Sequence, residues 1–194
     1  MRVPFCLALT VIASAAAATD VCRTTFQFDS GVALHVEVVP FVRAAHKIAR
    51  CGQPWPCQID GRDFFGADGE LPVTQVSRME LEIEGKLVSL ATSGMFNPWF
   101  GAADPQWFRV WRHGKDWVAR GFFSDAAGSY VAEWRISSLR ARRTVLTNDE
   151  SRIDRLELEM LQQPVGRVTS RCSRQGTAVG PRGRGLPPVA EPGR

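Results

Sequence analysis

The stretch Met79-Glu80-Leu81-Glu82-Ile83-Glu84-Gly85-Lys86-Leu87-Val88-Ser89-Leu90 decides the fold class. Apolar and acidic residues alternate over its first half. Successive strand side chains point to opposite faces, so one face is apolar and the other wet. Gly85-Lys86 turns the chain and Leu87 to Leu90 returns it, which defines a half-buried β-hairpin.

The same pattern extends in both directions. Thr24 to Phe28, the turn Asp29-Ser30-Gly31 and Val32 to Val39 form a second hairpin, and Trp107 to Arg112, the turn His113-Gly114-Lys115 and Asp116 to Phe123 form a third. Tyr130 to Ile136, Arg143 to Thr147 and Val165 to Ser170 add further strands. The segment Ile153 to Leu161 fits two periods. Leu156, Leu158 and Met160 alternate with Glu157 and Glu159 as in a strand, while Ile153, Leu156 and Met160 also fit a helical stripe stopped by Pro164. The period-two reading makes it a strand. The expected fold is all-β, an antiparallel β-sandwich or barrel-like meander of short strands. Gly and Pro, 17 and 12 in number, cluster between short apolar runs, which disfavours bundles and coiled coils.

Arg2, the apolar run Val3 to Ala13 and the small residues Ala16-Ala17-Ala18 read as a signal peptide over 1–18, removed after Ala18. The apolar run is shorter than the roughly 18 residues a spanning helix needs. Thr19, Asp20 and Val21 before Cys22 do not form a lipoprotein processing site, so no membrane anchor is expected. The product expected is periplasmic or secreted, with one domain over 19–172 and a disordered Gly/Pro/Arg-rich tail over 173–194. Neither Asn97 nor Asn148 begins a glycosylation acceptor.

The formal net charge of +4 resides in Arg2 and in the tail, where Arg174, Arg182, Arg184 and Arg194 outnumber Glu191. The body is neutral. It lacks the concentrated basic stripe that meets phosphates, so no nucleic-acid partner is expected. Four cysteines follow the signal segment, an even count that reads as two disulfides in an oxidising compartment. Gly52, Pro54 and Pro56 bend the chain between Cys51 and Cys57, which favours their pairing. Cys22 then joins Cys172, tying the first strand to the last. The Cys-x5-Cys spacing suits neither a redox motif nor a zinc site.

Catalytic signatures are absent: there is no Gly-x-Ser-x-Gly elbow, phosphate-binding loop, dinucleotide fingerprint or His-Glu-x-x-His. No catalytic residue, cofactor or metal is therefore assigned. His35 and His46 fall in expected strands and His113 in a turn. Ser93 and Ser124 are the serines nearest loop aspartates.

Two loops stand out. Asp60, Asp63, Asp68 and Glu70 share one loop with three glycines, a composition that permits calcium but also suits an ordinary turn-rich connection. Phe64 and Phe65 are expected to anchor it, and Arg62 to pair with a local carboxylate. The second loop, Ser93 to Gly101 followed by Asp104-Pro105-Gln106-Trp107, carries Met95, Phe96, Trp99 and Phe100. Such side chains suit a protein partner or a sugar face, or plug the open end of a core. Asn97 and Asp104 are its polar candidates for orienting a ligand. Trp55, between two prolines inside the short disulfide loop, is a rigid aromatic anchor that loses little entropy on binding.

Secreted β domains with two disulfides include inhibitors and immunity proteins that neutralise envelope hydrolases. The chain resembles that group in architecture, a likeness that transfers no residue. The leading expectation is an exported non-catalytic binding protein, an inhibitor or immunity factor with a protein partner in the envelope. It would bind through Trp55, Met95, Phe96, Asn97, Trp99, Phe100 and Asp104. A carbohydrate- or envelope-binding module uses the same aromatics. A small secreted hydrolase would draw on His35, His46, Asp63, Asp68 and Asp104.

Overall fold

The computed structural model describes residues 19–28, 31–99, 103–124 and 126–175. The expected signal peptide, Phe100 and the tail from residue 176 onward lie outside the described residues. In chain order the strands are β1 (Thr19–Gln27), β2 (Ala33–Pro40), β3 (Ile48–Ala49), β4 (Gln58–Ile59), β5 (Arg62–Asp63), β6 (Thr74–Ile83), β7 (Lys86–Leu90), β8 (Phe108–His113), β9 (Asp116–Phe123), β10 (Tyr130–Ser137) and β11 (Arg140–Thr147). Helix α1 (Glu150–Leu161) and strand β12 (Arg167–Gln175) complete the chain.

A five-stranded antiparallel sheet in the order β12-β1-β2-β6-β7 faces a four-stranded sheet in the order β11-β10-β9-β8, with a small third sheet β3-β4-β5. The architecture is sandwich-like, and its core is shared by the two large sheets. Phe26, Leu34, Met79 and Leu81 come from one sheet, and Phe108, Phe123, Tyr130 and Trp134 from the other. Phe26 stacks on Phe108 across the interface at 4.2 Å between ring centroids. The hairpin expected over Met79 to Leu90 is β6–β7. Met79, Leu81, Ile83, Val88 and Leu90 are buried, and the turn falls on Glu84-Gly85 rather than the expected Gly85-Lys86: Lys86 already pairs with Ile83, and both turn residues take positive φ, the geometry that matches strand twist in a two-residue turn.

Both disulfides form as the spacing indicated, Cys22 with Cys172 and Cys51 with Cys57. Cys22 and Cys172 are directly opposed in the β1–β12 register, so the bridge clasps the first strand to the last. In the chain-entropy picture the long closure contributes about 5 kcal/mol and the short one about 2. Strand β12 continues past Cys172 to Gln175, three residues into the segment expected as tail, because β1 reaches back to Thr19 to pair with it.

The segment expected as a strand over Ile153 to Leu161 is instead helix α1. Asp149 caps it, accepting from the Arg152 amide at 3.1 Å and from the Ser151 hydroxyl at 2.6 Å. The helical stripe prevails over the alternation: Met160 is fully buried, while Leu158, in phase with a strand, is 67% exposed. The helix covers the outer face of the four-stranded sheet, where Val118, Arg120 and Val131 alternate with the core-facing Trp117, Ala119, Tyr130 and Ala132. Two buried arginines fasten it. Arg120 donates to the Leu156 carbonyl at 2.7 Å and to Glu159 at 3.0 Å, and Arg109 to the Gln163 carbonyl at 2.9 Å.

Two other local expectations are corrected. Trp107 does not begin β8 but ends a 3-10 turn over Pro105–Trp107, where Asp104 accepts from the Gln106 amide; the residue is 39% exposed. His46 follows a second such turn rather than lying in a strand.

Candidate functional site

The two loops singled out in the sequence fold onto each other. Phe65 bridges Met95, the Phe65 amide donates to the Gly94 carbonyl at 2.9 Å, and the Phe96 amide donates to the Phe65 carbonyl at 3.0 Å. Met95 and Phe96 are buried, so they present no apolar surface to a partner. Asn97 takes φ +38°, with its Oδ1 accepting from the Val73 and Thr74 amides at 2.9 Å each and its Nδ2 donating to the Gly66 carbonyl at 2.7 Å. That amide splices three segments and has little capacity left for a ligand. Asp104 is engaged as a turn cap. Trp99 is half-buried and packs against the core. We expect Trp99→Ala to lower stability by up to about 3 kcal/mol, the low end for a buried aromatic; an unchanged melting temperature would show that Trp99 is an exposed anchor.

Trp55 has the opposite character. It sits in the loop joining β3 to β4, closed by the Cys51–Cys57 disulfide and by bonds from Gln53 to the Arg50 carbonyl (2.8 Å) and from Cys57 to the Ala49 carbonyl (2.9 Å). The residue is 50% exposed. At the other end of this small sheet, His46 meets Asp60 at 2.7 Å, and the Lys47 amide donates to the other oxygen of the same carboxylate at 2.9 Å. The bond from His46, then that from Lys47, holds the Asp60 carboxyl below the ordinary range. Phe41 stacks on the His46 ring at 4.7 Å.

His46 and Asp60 border an open cleft of about 450 Å3 whose remaining walls are Arg62, Gln75, Ser77, Thr92 and Ser93 over Ile59, Val76, Met95 and Phe96. Arg62 makes no ion pair with any carboxylate among the described residues, contrary to its expected local pairing. Behind Ser93, Arg143 of β11 donates to the Ser93 carbonyl at 2.7 Å. Burial first, and the Arg62 charge second, lower the Arg143 guanidinium from its ordinary value.

The other titratable candidates are dispersed. His35 bridges Thr25 and Glu82 on the outer face of the five-stranded sheet, at 3.0 and 3.1 Å. Asp63 accepts from Gln58, and Asp68 and Glu70 are exposed. Among the described residues no three His, Cys, Asp or Glu side chains converge as metal ligands would, and no serine hydrogen-bonds His46. The Ser124 amide binds the Pro98 carbonyl, tying that serine to the aromatic loop rather than to a histidine. The His46–Asp60 pairing had a partial signal in sequence, since both residues flank the short disulfide hairpin. The approach of Arg143 to Ser93 had none.

Comparison with protein-family models, curated proteins and solved structures found no match. No helix among the described residues is long and apolar enough to cross a membrane.

Proposed function

We propose that the chain is an exported, non-catalytic binding protein that engages a protein partner in the cell envelope, with Trp55 as its anchor. The exposure of Trp55 on a covalently closed loop carries this reading. A large aromatic in such a loop gives up little conformational entropy on docking, and half of its surface is available to bury. The disulfides suit an oxidising compartment, and the signal-like N-terminus supplies the route.

The test is capture of partners from envelope extract by the oxidised protein, identification by mass spectrometry, and titration of the Trp55→Ala variant. We expect the variant to melt as the parent does and to bind the captured protein at least about 2 kcal/mol more weakly, as for a hot-spot aromatic. Equal binding by both proteins would remove Trp55 from the interface.

A further inference from the structure

Along the chain the body is formally neutral, but folding gathers cations at one end of the sandwich. The β6–β7, β8–β9 and β10–β11 turns meet there, with Glu84, Arg112, Lys115 and Leu139 around one open cleft. Lys86, Arg112, Lys115, Arg135, Arg140 and Arg142 are exposed on these hairpins, and none forms an ion pair among the described residues. Over 84–86, 112–116 and 135–142 the carboxylates are Glu84 and Asp116, so six cations against two anions leave a formal excess of four.

The β10–β11 hairpin concentrates this charge. Arg135 and Arg142 are directly opposed across the ladder, and Arg140, two residues before Arg142, shares their face. Like charges so placed destabilise a sheet. Glu133, the carboxylate of β10, is held by Arg120 and the Thr144 hydroxyl. The tip between the arginines is apolar. Ser137 pairs with Arg140, so Ser138 and Leu139 form a two-residue turn at φ +49° and +60°. That geometry favours Asn-Gly and strains a leucine, and Leu139 is 44% exposed and stands outside the core cluster.

We infer that this end of the sandwich docks on an anionic phospholipid surface, with Leu139 entering the interface and the surrounding cations meeting phosphates. Apolar insertion combined with attraction to acidic headgroups is how peripheral proteins hold a bilayer. The cations come from three separate hairpins rather than one regular row. Mobile headgroups can move to each of them, whereas a folded acidic partner needs its carboxylates in a matching array. The contact is peripheral and shares no residue with the Trp55 site, so either assignment can fail while the other stands.

Cosedimentation of the purified, oxidised chain with vesicles of equimolar phosphatidylglycerol and phosphatidylcholine, and with vesicles of phosphatidylcholine alone, tests the assignment. The protein should partition onto the first, less so with added salt, and at least about tenfold less onto the second. Arg140→Gln combined with Arg142→Gln should weaken partitioning by about twentyfold, at roughly fivefold for each charge withdrawn from the surface. Leu139→Asn should weaken it about fivefold while melting no lower than the parent, because asparagine tolerates positive φ. Arg171→Gln, on the edge strand β12 of the five-stranded sheet, and Trp55→Ala should bind as the parent does. Equal binding to both vesicles, no binding to either, or full binding by the double arginine variant or by Leu139→Asn would each overturn the assignment. Poly-glutamate that shifts the amides of 135–142 in a protein the vesicles leave in solution would also overturn it, and would give the arginines to an acidic protein.

Discussion

Gly66→Ala is expected to destabilise the protein by about 3 kcal/mol or more, far beyond the usual effect of a loop substitution. A Cβ at this position would lie 1.9 Å from the Phe96 carbonyl oxygen and 2.6 Å from its carbon, on a backbone at φ +98°. Neither side can yield cheaply. The Phe96 oxygen accepts from the fully buried Tyr130 hydroxyl at 3.0 Å, and the Gly66 carbonyl accepts from Asn97 at 2.7 Å. Moving Phe96 strands a phenol in the core, where an unsatisfied donor is costly. Moving Gly66 breaks the splice made by Asn97. Gly69→Ala is the internal control, because Gly69 has a similar φ of +70° with nothing within 4 Å of an added Cβ. It should show only the backbone strain, about 1 kcal/mol. Urea unfolding of the two variants separates packing from strain, and equal midpoints would refute the claim that the two loops lock at Gly66.

That junction marks the limit of what the chain discloses before it is folded. The β6–β7 hairpin was legible because alternation, turn residues and burial all agree over twelve residues. The disulfides were legible because Gly52, Pro54 and Pro56 force Cys57 back toward Cys51, leaving Cys22 one partner. Helix α1 was misread because Leu156, Leu158 and Met160 satisfy period two while Ile153, Leu156 and Met160 satisfy the helical period. The deciding facts were the Asp149 cap and the outer face of β9 and β10, where Val118, Arg120 and Val131 wait to be covered, and only the cap is written in the local sequence. The loop aromatics were ambiguous for a related reason. Met95 and Phe96 look like surface anchors until Phe65, some 30 residues earlier, is seen to bridge Met95. The contact of Arg143 with Ser93 lay further out of reach, since it forms only through the packing of β11 near β7.

Arg120→Met should cost about 3 to 5 kcal/mol, the range for removing one partner of a buried ion pair. The side chain of Arg120 is 5% exposed, and its Nε donates to Glu133 at 2.9 Å while another nitrogen holds the Leu156 carbonyl at 2.7 Å. Methionine fills comparable volume but leaves the Glu133 carboxylate, itself 12% exposed, with the Thr144 hydroxyl as its remaining bond. The loss should appear first in α1. A helix of 12 residues is marginal in water by itself and depends on the face it buries. Amide exchange in α1 should therefore accelerate more than in β10. Glu159→Gln removes the outer partner, which is 57% exposed, and should cost under about 1 kcal/mol, since water screens it. Replacing Glu133 by leucine in the Arg120→Met background should recover part of the deficit, because the second change removes the stranded charge. If Arg120→Met unfolds within about 1 kcal/mol of the parent, the ion pair does not dock the helix. Met160, fully buried against the sheet, would then be the residue on which that docking rests.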